Sequence, residues 1–116
     1  MPHYRLNTAA VRQARQLVGD GKVDSETSWS DGAPSTDEAN EVIERRGYDG
    51  YGAWHLGIDE DASDDTKGRY AFSYGDFTKV SRAAVIHAKQ RAAQNDHRPI
   101  SDAADDLLQR IDQRHD

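Results

Sequence analysis

The chain has 116 residues, of which 35% are hydrophobic and 31% charged, with a net charge of −6. That length supports one domain with a modest core, and the acidic balance leaves no overall positive field for nucleic acid or an anionic membrane. With no cysteine in the sequence, disulfides, thiolate zinc sites, iron–sulfur clusters and a thiol nucleophile are excluded.

The first seventeen residues contain no apolar run of signal-peptide length, and no stretch approaches a membrane span. The expected location is therefore the cytoplasm, with no membrane partner. Charge is unevenly spread. Residues 20–65 carry fourteen acids against Lys22, Arg45 and Arg46, while residues 66–98 carry seven basic residues against Asp76 and Asp96. The simpler reading is that the two blocks face one another or are solvated, since an exposed pair contributes only ~0–1 kcal/mol. The sharper one is a bipolar molecule with an anion-facing side.

Leu6, Ala10, Val11, Ala14, Leu17 and Val18 recur at helical spacing and predict a first helix over 8–18. Asn7 or Thr8 caps its start and Gly19 closes it. Residues 19–34 are rich in turn formers and read as a loop with a short strand near Val23. Trp29 is expected to pin that loop to the core, because an indole buries a large apolar area. Ser35-Thr36-Asp37-Glu38 has the spacing of a capping box. The helix it opens runs over 36–46 with Ala39, Val42 and Ile43 as its apolar stripe, and Gly47 stops it.

Trp54, Leu56 and Ile58 alternate with Ala53, His55 and Gly57, which predicts a strand over 53–58. After an acidic turn, Tyr70, Phe72 and Tyr74 alternate with small residues and predict a second strand over 70–74, antiparallel to the first. If the alternation holds, these three rings share one face, and that face is buried. A third helix is expected over 77–94, capped by Asp76 or Thr78 and rich in alanine, with Pro99 preventing its continuation. Ser101 would cap a last helix over 102–113. Its stripe of Ala104, Leu107, Leu108 and Ile111 contributes ~6–8 kcal/mol on burial, before entropy. The fold class is thus α+β: a single domain over 1–116 with about four helices packed on a small two-stranded antiparallel sheet.

Asp59, Asp61, Ser63 and Asp65 place oxygens at alternate positions, a pattern that suits a hard cation such as calcium. The EF-hand loop, however, needs glycine and a bidentate glutamate at its sixth and twelfth positions, where this chain has Asp64 and Tyr70. The five histidines show no HExxH and no helical pair at four-residue spacing. His55 and His87 remain candidates for a small metal site or enzyme, set against the commoner outcome of a buried, hydrogen-bonded imidazole. No GxSxG is present, and GDGKVDS at 19–25 lacks the spacing of a phosphate loop. No cofactor is implied.

Lys67, Arg69, Lys79, Arg82, Lys89 and Arg91 lie close in sequence to Tyr70, Phe72 and Tyr74. Aromatics interleaved with cations on a sheet stack bases and hold phosphates, which makes this block a candidate nucleic-acid or anion-binding face. The opposing reading turns the rings inward and leaves the cations to serve the acidic block.

Tyr51–Gly57 (YGAWHLG), Thr66–Arg82 (TKGRYAFSYGDFTKVSR) and Arg91–Gln94 (RAAQ) together resemble a family of short uncharacterised bacterial and phage proteins. The signature of that family reads YGxWHLG, an acidic run, TKGRYxFPYGDFxKVHR, and a helix with RAxQ. The chain departs from it at Ser73, where the family has proline, and at Ser81, where it has histidine. That family has no established activity, and related segments occur near or within phage head proteins, so the resemblance implies an interaction role at most. The leading expectation is a non-catalytic interaction module that binds a protein partner or assembles with itself, with nucleic-acid or ribosome-associated binding as the alternative.

Overall fold

A computed structural model describes residues 4–114. In chain order it forms β1 (Tyr4–Leu6), α1 (Thr8–Gly19), β2 (Val23–Asp24), α2 (Trp29–Gly32), α3 (Thr36–Gly52), β3 (His55–Asp59), a 3-10 turn at Lys67–Arg69, β4 (Tyr70–Ser73), β5 (Val80–Ser81), α4 (Arg82–Gln94) and α5 (Arg98–Arg114). The α+β class is as expected, but the sheet has three antiparallel strands in the order β1-β3-β4 instead of two. β1 was unreadable as a strand because three residues, YRL, are too few for their alternation to stand out. It is defined only by its partner, with Tyr4 opposite Asp59 and Leu6 opposite Gly57. A second, parallel ladder joins β2 to β5, pairing Val23 with Val80.

The helix boundaries shift for identifiable reasons. α1 begins where expected, since the Asn7 side chain accepts from the Ala10 amide. α2 is a fifth helix, a single turn inside the stretch read as loop, and Ser28 caps it. The Ser35–Glu38 capping box closes both ways, at 3.1 and 3.2 Å. Gly47 does break α3, with φ 74° and ψ −179°, but the helical turns resume through Gly52.

The third predicted helix starts at Arg82, not Phe77. Asp76 closes a turn by accepting from the amides of Thr78 and Lys79, and Phe77 has φ 72°. The cap of α4 is then Ser81, whose hydroxyl accepts from the Ala84 amide at 3.2 Å. The last helix starts at Arg98 instead of residue 102. Pro99 lies in its first turn, where the missing N–H costs nothing, and Ser101 donates to the Arg98 carbonyl from inside the helix.

The core lies where α1, α4 and α5 cover the sheet. α4 buries Ala84, Val85, Ala88 and Ala92, and α5 buries Ile100, Ala104, Leu107 and Ile111. Alanine on the facing side lets the two helices approach closely, and each fully buried Ile or Leu contributes about 1.5–3 kcal/mol. Trp54, Leu56 and Tyr74 complete the core from the sheet side. Leu108 is only partly buried at its margin.

The three rings around β4 do not share a face. Phe72 adopts φ 65°, which breaks the alternation, and Tyr70, Phe72 and the Trp54 ring stacked on Tyr74 each take a separate seat over a glycine. Tyr70 occupies the space beside Gly52, Phe72 lies against Gly57, and Trp54, stacked on Tyr74 at 5.2 Å, lies against Gly75. Any side chain at these glycines would collide with a ring or, at Gly75, also with the Lys79 carbonyl. The glycine-aromatic density of residues 50–75 is therefore a packing device.

Candidate functional site: an aromatic cleft between β4 and α4

Four of the six basic residues singled out from sequence are engaged with carboxylates of the same chain. Lys79 meets Asp76 at 2.7 Å and Lys89 meets Asp105 at 2.8 Å. Arg82 makes two bonds to Asp112, at 2.9 and 3.2 Å. Arg69 lies 3.4 Å from Asp64 and donates to the carbonyls of Ala62 and Asp59. With only 17% of its side chain exposed, Arg69 clips the acidic turn to the sheet. The Asp76 carboxylate is disfavoured by burial, but hydrogen bonds from Lys79 and Thr78 outweigh that and hold its pKa at about 2. Lys67 and Arg91 have no carboxylate partner among the described residues.

The acidic turn is organised by its own backbone. Asp59 accepts from the Asp61 amide and Ser63 from the Asp65 amide. Among the described residues no three His, Asp or Glu side chains converge as a metal site would require.

The two candidate histidines do not meet. His55 is 6% exposed and pairs its Nδ1 with the Tyr51 carbonyl at 3.0 Å. A carbonyl only accepts, so that nitrogen carries the proton. Its ring lies 4.5 Å from Tyr51 and 6.1 Å from Tyr70. Burial pulls its pKa down to about 4, against the smaller effect of the Tyr51 bond. Asn7 ties this region together by donating to the carbonyls of both Gly52 and His55. His87 is exposed on α4. His3 and His115 lie outside the described residues.

His87 and Arg91, one turn apart on α4, instead border a cleft of about 570 Å³. Ala71, Phe72 and Ser73 of β4 form the wall opposite them, joined by Tyr4 of β1. His97, between α4 and α5, stands edge-on to Tyr4 at 5.4 Å and to Phe72 at 5.8 Å. Trp29 reaches the cleft from α2 and is half-buried there, so it lines this hollow instead of entering the core as expected. None of the lining residues is acidic. A second hollow, of about 650 Å³, differs in kind: Arg5, Arg46 and Arg69 alternate there with Asp49, Asp64 and Asp65.

Sequence reasoning named His87, Arg91 and Phe72 but missed Tyr4, Trp29, Asn95 and His97. These come from segments spread from residue 4 to residue 97, and no local pattern links them. The one usable signal was Trp29, a large apolar residue in a polar stretch. No family model, no curated protein and no solved structure matches the chain. No helix among the described residues is long and apolar enough to cross a membrane.

Proposed function

We propose that this protein is a non-catalytic interaction module that receives a protein partner in the cleft between β4 and α4. The observation that carries this reading is the composition of the cleft walls. Tyr4, Trp29, Phe72 and His97 bring rings together beside the guanidinium of Arg91, and no carboxylate lines the cleft in a chain holding twenty-one. Aromatic residues and arginine are the types enriched where partners bind tightly. The resemblance to proteins found near phage head components points the same way.

A nucleic-acid grip through residues 67–98 would first have to release Lys79, Arg82, Lys89 and Arg69 from their carboxylates. That cost favours the protein partner.

Photo-crosslinking tests the proposal. Trp29 is replaced by benzoylphenylalanine and the full chain is irradiated in cell extract. The expected result is one dominant protein adduct that Arg91→Glu removes, while the same crosslinker at exposed Glu44 does not produce it. The proposal fails if both positions give the same adducts, or if Arg91→Glu leaves the adduct unchanged.

A further inference from the structure

We infer that the occupant of this cleft is an extended acidic peptide segment, one that sets an aromatic side chain beside a carboxylate. This rests on the reading of the cleft as the docking surface and adds the chemistry of what docks.

The volume, about 570 Å³, is that of a pocket for one or two side chains and a length of backbone, not of a broad domain interface. β4 is an outer strand of its sheet, and residues 71–73 form one wall of the cleft. A strand-and-helix trough of this kind receives a chain in extended form. Phe72 and His97 already meet edge to face at 5.8 Å, and Trp29 is half-buried on the cleft lining. A further ring entering here finds faces and edges to pack against.

Charge decides the rest. Arg82 and Lys89 on the same helix are held by Asp112 and Asp105, whereas Arg91 has no such partner among the described residues and is exposed on the rim. In a chain of net charge −6, a cleft without carboxylates is a positive island. An acidic segment is drawn to it and repelled from the rest of the surface, which adds specificity as well as association rate. A single-stranded nucleic acid would need a row of free cations to follow its phosphates, and the other two cations of α4, Arg82 and Lys89, are already paired.

The test uses four probes with the ¹⁵N-labelled full chain: the blocked pentapeptides Ala-Asp-Phe-Asp-Ala, Ala-Lys-Phe-Lys-Ala and Ala-Asp-Ala-Asp-Ala, and a short oligothymidylate. The Asp-Phe-Asp peptide should shift the Trp29 indole and the amides of residues 71–73. It should bind at least about fivefold more tightly than either control peptide, and Arg91→Glu should remove that advantage. The indole signal of buried Trp54 reports that each variant remains folded. The inference is overturned if the lysine peptide binds as well as the aspartate one, if the shifts fall elsewhere, or if the oligonucleotide binds the cleft more tightly than any peptide. If position 29 still crosslinks a partner in an Arg91-dependent way while the peptides show no acidic preference, only the chemistry proposed here is wrong. If neither experiment marks the cleft, the docking reading falls with it.

Discussion

Gly57 sits at the centre of the three-stranded sheet, and a methyl group placed on it would stand 2.7 Å from Phe72 Cδ2 and 3.1 Å from Ile100 Cδ1. Ile100 is 1% exposed and cannot withdraw easily, so in Gly57→Ala the Phe72 ring must move. Forcing an extra carbon into a packed site costs about 1–3 kcal/mol, and the loss of unfolded-state freedom on replacing glycine returns about 0.4–1 kcal/mol, leaving a net destabilisation of about 1–2 kcal/mol. Phe72→Leu alone should cost about 1 kcal/mol, since this ring is only half-buried. The two changes share one space, so the double variant should be less destabilised than their sum by about 1 kcal/mol. Urea denaturation of the parent, both single variants and the double variant measures all four corners. Additivity to within about 0.3 kcal/mol would show that ring and glycine do not share that space. Gly57→Ala should also shift the Trp29 indole resonance, because Phe72 is a wall of the cleft.

Tyr74 is fully buried, donates to the Ala53 carbonyl at 2.8 Å and accepts from Gln13 Nε2 at 3.1 Å. Tyr74→Phe should therefore cost about 1–3 kcal/mol in urea denaturation by leaving buried polar groups underserved. Asn7→Ala removes the cap of α1 and two bonds to carbonyls of Gly52 and His55, and should lower the melting temperature through a loss of about 2–3 kcal/mol. His55 stays neutral in the folded chain down to a pKa of about 4, whereas the unfolded chain takes up a proton near its ordinary value of about 6.5. Its contribution to stability is complete above about pH 6.5 and is lost as the pH falls toward 4, by at most about 3 kcal/mol. Urea midpoints from pH 7 to 4.5 should fall more steeply in the parent than in His55→Gln.

What could be read from sequence was whatever short segments settle by themselves. The Ser35–Glu38 box needs four consecutive residues, and it closed as its spacing implied. The α5 stripe at Ala104, Leu107 and Ile111 is buried as its period required. Local signals misled where a residue has two uses. Pro99 blocks a helix interior but suits a first turn. Asp76 and Ser81 both have capping chemistry, and only the positive φ of Phe77 decides that the helix waits for Ser81. β1 depends on a partner more than fifty residues away, and the cleft depends on five separate segments. Neither leaves a trace in any window of sequence.

The glycine seats bear on motion as well as packing. A ring lying directly on backbone is hindered from rotating on that side while its strand stays in register. Half-turns of Phe72, seated on Gly57 of β3, must therefore wait for β3 and β4 to separate briefly, which ties an event complete in nanoseconds for an exposed side chain to the slower opening of the sheet. That ring acts as a clock for the breathing of the strand pair that forms one side of the cleft.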